Sequence, residues 1–191
     1  MKHDSVALFP GSFDPFTNGH FDLTTRGAML FDRVVVAVAH NPAKRSLFTP
    51  EERVDMIRDS VKRLKNVTVM HFAGLVVDCA RQVGAQTIIR GLRAVSDFEF
   101  EFQMALMNRR LARGIEVAFL MPSQQYTYLN STLVKEILRL GGPIRGLVPH
   151  TVEQRLRERL RAAPAGRPAK TAPGTAPGGG RAALPAKRSG R

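Results

Sequence analysis

One stretch, Phe9-Pro10-Gly11-Ser12-Phe13-Asp14-Pro15-Phe16-Thr17-Asn18-Gly19-His20, sets a hydroxyl at Ser12 and an imidazole at His20 among glycines at 11 and 19. It follows Ser5-Val6-Ala7-Leu8, an apolar run with the length of a buried strand, and leads into Phe21-Asp22-Leu23, where a helical pattern opens. A strand that breaks into a glycine-containing turn and then a helix can bind phosphate. The turn brings backbone close to the ligand, and the helix start offers free N–H groups at the positive end of its dipole. The same dipeptides, Pro10-Gly11, Asp14-Pro15 and Asn18-Gly19, are also ordinary turn formers, and spacing alone leaves both readings open. Neither a G-x-x-x-x-G-K-[ST] loop nor a G-x-G-x-x-G fingerprint occurs here.

Further candidates fall after other β-rich runs. Lys44, in Asn41-Pro42-Ala43-Lys44-Arg45, can meet phosphate or simply face solvent. Arg90-Gly91-Leu92-Arg93 leaves an apolar run, and a guanidinium fork there matches phosphate oxygens. Tyr126-Thr127-Tyr128-Leu129-Asn130-Ser131-Thr132 enters a helix, where Ser131 or Asn130 serves as a cap or helps to hold an anion. His3, His20, His40, His71 and His150 show no paired metal-ligand spacing, and no nucleophile elbow stands out. Anion-binding types at successive strand ends point to chemistry by positioning and charge stabilisation on phosphates.

The elements that must position these residues alternate. Strands are expected at 33–39, 67–70, 87–90 and 117–120, and helices from Thr49-Pro50-Glu51-Glu52 to about 63, over 75–83, from an Asp97 cap onward, after Asn130 or Ser131, and from Pro149 to about 160. Val54, Ile57, Val61 and Leu64 should face inward, as should Leu133, Val134, Ile137 and Leu138; Phe98, Phe102, Ala105 and Leu106 share one side of their helix. Such alternation predicts an α/β fold, a Rossmann-like doubly wound sandwich around a five-stranded parallel sheet. Ligands in such folds bind beyond the carboxyl ends of the strands.

The 191-residue chain carries a net charge of +13, but seven of those charges lie in residues 161–191, which contain no acid, leaving +6 for residues 1–160. That tail is rich in Ala, Pro and Gly with Leu184 as its one large apolar residue, and is expected to be disordered. The organisation expected is therefore one domain over 1–160 and a basic tail over 161–191. Cys79 is the single cysteine, no apolar run approaches a membrane span, and no signal-peptide h-region is present, so a cytoplasmic protein is expected.

Gly11 to His20 resembles the [HT]-x-G-H signature of the nucleotidyltransferase superfamily, and more narrowly the opening of bacterial phosphopantetheine adenylyltransferases. The resemblance spans about residues 5–160. It extends to Lys44 with Thr49–Arg53, to Ile89–Ala94 with Asp97-Phe98-Glu99, and to Asn130–Glu136. It implies transfer of AMP from ATP to 4′-phosphopantetheine, giving dephospho-coenzyme A and pyrophosphate. By resemblance, His20 stabilises the transition state, with Ser12, Lys44 and Arg93 as further catalytic residues. Ser12, Lys44, Val76 and Arg90 would hold 4′-phosphopantetheine. Ser12, Phe13, His20, Gly91, Leu92, Arg93, Glu101, Tyr126, Thr127, Tyr128, Leu129, Asn130, Ser131 and Thr132 would hold ATP.

The resemblance also implies Mg²⁺ carried with ATP without a dedicated protein cage, a homohexamer, and inhibition by coenzyme A. Ser12 stands where threonine is common, Phe100 where tyrosine is usual, Tyr126 for a frequent tryptophan and Asn130 for a hydroxyl residue, departures that touch the adenine and triphosphate contacts. Two alternatives remain at this stage. One is a sister nucleotidyltransferase acting on nicotinamide mononucleotide or using CTP. The other is a nucleic-acid binder working through its tail, although no aromatic residues interleave the tail's charges, and neither nucleic acid nor membrane is the expected partner.

Overall fold

The computed structural model describes residues 4–40 and 45–162. Five strands, β1 (Val6–Gly11), β2 (Arg33–His40), β3 (Val67–Ala73), β4 (Thr87–Gly91) and β5 (Glu116–Leu120), form one parallel sheet in the order β3-β2-β1-β4-β5. The order reverses between β1 and β4, where α/β sheets bind their ligands. Alternate strand residues point to opposite faces, and each face has its own core. Ala7, Phe9, Val34, Val36, Val38 and Ile89 pack under α1 (Asn18–Leu30), α2 (Pro50–Val61), α5 (Ser131–Arg139) and α6 (His150–Ala162). Val6, Leu8, Val35, Ala37 and Ile88 pack under α3 (Val76–Val83) and with Ala112 and Ile115, which follow α4 (Val95–Leu111). The doubly wound sandwich expected from the sequence is thus the fold observed. No helix among the described residues is long and apolar enough to cross a membrane.

Three local expectations change. The first strand does not end at Leu8 but continues through Phe9-Pro10-Gly11, paired with β2 to Gly11↔Val38. Its pairing with β4 stops after Leu8↔Ile88. Pro10 has no N–H to give to a ladder, so the sheet stays joined on one side of β1 and splits on the other. Second, α4 begins at Val95 with Ala94 as its cap residue, and Asp97 instead lies in the first turn, where it pairs with Arg93.

Third, the stripe of Phe98, Phe102 and Leu106 covers no core: their exposures are 45%, 46% and 50%, and Phe100, Met104, Met107 and Leu111 are exposed beside them. The helix start at Thr49 behaves as read, with a full capping box to Glu52 and Pro50 at the first position, and Val54, Ile57 and Val61 are buried. The expectation of a tail over 161–191 lies outside the described residues from 163 onward; α6 itself runs to Ala162.

Candidate active site

The loop between β1 and α1 takes its shape from packing. Phe13 adopts the left-handed φ of 46°, unusual for a residue with a side chain. Its buried ring sits against Phe9 and Phe16, with centroids 5.4 and 5.6 Å away. The ring lies so close to Gly11 that an added Cβ there would meet it at 2.7 Å, so Gly11 is required for this approach and not for a positive φ. The following chain turns into α1 at Thr17, which is 1% exposed and caps the helix.

His20 completes that cap. The Thr17 hydroxyl accepts from the His20 N–H at 3.3 Å, and the Thr17 N–H donates to His20 Nδ1 at 3.0 Å. A backbone N–H can only donate, so Nδ1 must be the unprotonated nitrogen and Nε2 must carry the ring proton. The imidazole lies edge-on to Phe13 at 5.1 Å and stacks on Phe16 at 5.7 Å. Burial among these rings, and then the positive charge of Arg93, lower its pKa from 6.5 to about 4. At neutral pH His20 is therefore an uncharged donor with a fixed tautomer, its Nε2–H without a partner among the described residues.

The split between β1 and β4 opens a cavity of about 230 Å³ with His20 on its wall. Arg90, Gly91, Arg93 and Glu101 form the β4 side, and Tyr126, Leu129, Asn130 and Ser131 the side of the segment after β5. Arg90 bridges the split: Nη1 donates to Pro10 O at 3.1 Å, while Nε and Nη2 make a two-pronged pair with Glu101, both at 2.6 Å. Three of its five N–H donors are engaged and two remain. Glu101 therefore orients Arg90. Arg93 is held by Asp97 at 3.0 and 3.2 Å and reaches Leu129 O at 3.4 Å. Gly91 allows Leu23 to pack on the strand end, since a Cβ there would collide with the leucine Cδ1.

A second cavity of about 230 Å³ adjoins the first at Ser131, which lines both. Ser12, Thr132 and Ser131 bring hydroxyls to it, and Arg45, Arg53 and Lys135 bring positive charge against the single carboxylate of Asp14. The N-terminus of α5 opens beside it: Asn130 is the cap, its Oδ1 accepting the Leu133 N–H at 2.8 Å, and Ser131 Oγ donates to Pro15 O at 2.7 Å. The structure thus brings Ser12, Phe13, His20, Arg90, Gly91, Arg93, Glu101, Tyr126, Leu129, Asn130, Ser131 and Thr132 to the two cavities. Leu92 sits behind them, its N–H bonded to Leu120 O at 3.0 Å. Thr127 and Tyr128 are exposed and line neither cavity, nor does Val76, which opens α3 beyond the end of β3. Phe100 points to solvent at 63% exposure, away from both cavities. Lys44 lies outside the described residues.

Three positioning groups escaped the sequence reading. Asp14, 6% exposed, accepts from Leu47 N–H at 2.9 Å and Phe48 N–H at 3.1 Å and pairs with Lys135 at 2.9 Å, joining three elements around the cationic cavity. Arg53, 2% exposed, donates to Ser12 O at 2.6 Å, Thr49 O at 3.2 Å and Ala39 O at 3.3 Å. Burial lowers its pKa against the opposing pull of Asp14 and Glu51. Asp22 accepts from the Ser123 N–H and Oγ, both at 2.8 Å, anchoring the segment that carries Tyr126 to α1. Burial would raise the Asp22 carboxyl, but these bonds and Arg26 hold it below its ordinary value. As sequence, the first two are a turn residue and a helix charge. Their only signal is membership of the segments Gly11–His20 and Thr49–Arg53.

Residues 8–137 match the cytidylyltransferase-like family. The phosphopantetheine adenylyltransferase of Desulfosudis oleivorans is 51% identical over 151 residues, covering 79% of this chain and 90% of the relative. That of Dictyoglomus turgidum is 53% identical over 150 residues, covering 78% and 94%. Among solved structures, a Vibrio parahaemolyticus protein assigned as a nicotinate-nucleotide adenylyltransferase superposes with a TM-score of 0.61 at 18% identity, over 81% of this chain and 99% of that one. That likeness speaks to the fold alone.

Proposed function

The chain belongs to the cytidylyltransferase-like family and within it to the phosphopantetheine adenylyltransferases, nucleotidyltransferases of coenzyme A biosynthesis, and on that premise we propose that it transfers the adenylyl group of ATP to 4′-phosphopantetheine by direct in-line displacement at the β1/β4 split. The observation that carries this reading is His20, a neutral ring whose one free polar atom is an Nε2–H on the wall of the crevice. The acceptor phosphate has a second pKa of about 6, so near neutrality it needs no base to become a nucleophile. What remains is to align it with the α-phosphate and to stabilise the charge that develops there. His20 Nε2–H supplies a fixed donor at that point, and Arg93 supplies positive charge close by.

We assign the cationic cavity to phosphates: Ser12, Ser131 and Thr132 offer hydroxyls, and Arg45, Arg53 and Lys135 offset their charge. Gly91, Leu92, Arg93 and the segment 126–132 serve ATP, with Glu101 acting through Arg90. Arg90, Ser12 and Lys44 serve the acceptor, with Val76 along its arm. Mg²⁺ would come as counter-charge on the ATP phosphates, held by the nucleotide's own oxygens. The exposed apolar face of α4 supports subunit contact, in keeping with the hexamer the resemblance implies. Inhibition by coenzyme A and a cytoplasmic location belong to the same reading.

The test is pyrophosphate release from ATP and Mg²⁺ with and without 4′-phosphopantetheine, on the wild type and on His20→Ala. Acceptor-dependent release that falls in the variant is expected. Turnover with nicotinamide mononucleotide and none with 4′-phosphopantetheine would overturn the assignment of the acceptor.

A further inference from the structure

Arg45 and Ser46 line the cationic cavity from the segment that joins β2 to α2. The next two residues, Leu47 and Phe48, are held from opposite sides. From within, Asp14 accepts both of their N–H groups. From without, Arg159 in α6 donates through Nη1 to Leu47 O at 3.2 Å, and its guanidinium lies 5.0 Å over the Phe48 ring. Its Nη2 pairs with Oε1 of Glu52, whose Oε2 accepts the Thr49 N–H at 2.8 Å in the α2 capping box. The Leu47 residue is thus tied at its N–H to the loop that carries Ser12 and at its C=O to the last helix. The direction of α6 makes this possible. Its start meets the end of α2, Thr151 against Ser60 at 3.4 Å, so it runs antiparallel to α2 and delivers Arg159 to the end of the sheet where ligands bind.

We infer that Arg159 is a positioning residue for the acceptor phosphate: by fixing Leu47 and Phe48 it holds Arg45 and Ser46 against Ser12 and Lys135, so that the last helix sets the acceptor side of the site. The inference rests on the function proposed above. A partly exposed ion pair alone would do little. A fork that meets a carbonyl, a carboxylate and an aromatic face at once fixes geometry, which lysine cannot reproduce with a single point of charge.

The test measures kcat and KM for each substrate on the full chain. Arg159→Ala is expected to raise KM for 4′-phosphopantetheine by about tenfold, with kcat nearly unchanged and a smaller change in KM for ATP, which meets the same cavity through Ser131 and Thr132 on α5. Arg159→Lys should rise by less. Arg157→Ala, which removes only an exposed pair with Glu153 on the same helix, should change nothing. General destabilisation lowers the active fraction and hence kcat, but does not move a KM. An unchanged acceptor KM in Arg159→Ala, an equal rise in Arg157→Ala, or a fall in kcat alone would overturn the inference. Should Arg159→Ala not fold, an unchanged acceptor KM in Arg159→Lys decides against it. A wild type that releases no pyrophosphate with this acceptor would overturn the proposed function instead, which keeps the two failures distinct.

Discussion

Substituting asparagine at His20 removes one function of the ring and keeps the other. Nδ1 closes the capping box by accepting the Thr17 N–H at 3.0 Å; Nε2–H faces the crevice. Asparagine places its Oδ1 where Nδ1 was and has nothing at the Nε2 position. The cap should therefore survive while the donor is lost. Losing one preorganised donor to a developing charge costs about 10²–10³ in kcat, or about 2.7–4 kcal/mol. Alanine loses the donor and also the half of the capping box that the ring supplies, while Thr17 still caps the His20 N–H; that half costs at most about 1 kcal/mol, or a Tm lower by no more than about 2–4 °C for a chain of this size. The assays are pyrophosphate release at saturating ATP, Mg²⁺ and acceptor, and thermal unfolding of both variants. The pH profile adds a sharper criterion. With its pKa lowered to about 4, His20 stays neutral across the working range, so any limb near pH 6 in kcat/KM for the acceptor belongs to the substrate phosphate. That limb should persist in His20→Asn. If it vanishes with the imidazole, His20 titrates during turnover and the account of it as a neutral donor is refuted.

The depressed pKa of His20 also predicts a stability profile. Its contribution is complete above 6.5 and is lost as pH falls from 6.5 to about 4, because the unfolded chain takes up the proton first. The ceiling on that loss is roughly 3 kcal/mol at about 1.4 kcal/mol per pKa unit, and the ring's partial exposure keeps the realised value lower. Urea titrations at pH 7 and 4.5 should show a smaller drop for His20→Asn than for the wild type; equal drops would count against it. Gly91→Ala drives a methyl into Leu23 and should cost about 1–3 kcal/mol and raise KM for ATP, with an unaltered melting curve as the contrary result. Asp22→Ala removes two of the three bonds that tie Ser123 to α1, leaving Arg26 Nη2 on Ser123 Oγ at 2.9 Å, and should raise KM for ATP more than KM for the acceptor; equal changes would detach that anchor from the nucleotide side. On the proposed assembly, Phe98→Glu with Phe102→Glu charges the exposed face of α4 and should lower the sedimentation coefficient, whereas an unchanged value would count against subunit contact through this face.

The parts of the fold legible in the sequence are those where local chemistry and tertiary role coincide. Valines at 34–36 and 38 can only be a doubly buried strand, and Thr49-Pro50-Glu51-Glu52 caps a helix whatever surrounds it. Pro10 misled because proline marks a strand's end in most settings, whereas here it ends pairing on one side only. The stripe on α4 was real, but periodicity reports a shared face and not what covers it. His20 could be placed in the first turn, and its tautomer could not, since that depends on one contact to Thr17. Asp14 and Arg53 were illegible for a different reason. Their partners lie 33, 34 and 121 residues away for Asp14 and 41 away for the Arg53 bond to Ser12, and no local pattern distinguishes a charge that will be enclosed from one that will be solvated.

The split between β1 and β4 has a consequence for solubility as well as for binding. A ligand that needs backbone polar groups is usually served by a sheet margin or a loop, and an open margin invites a neighbouring chain to pair with it. Here the unpaired backbone lies in the middle of the sheet, flanked by β2 and β5 and roofed by helices. Another strand cannot enter it, whereas a small anion can meet the side-chain donors of Arg90 and His20 on its walls. One residue without an N–H thus gives the protein an interior margin: its carbonyl is held by Arg90 and the crevice beside it is open to a substrate and closed to a neighbouring chain.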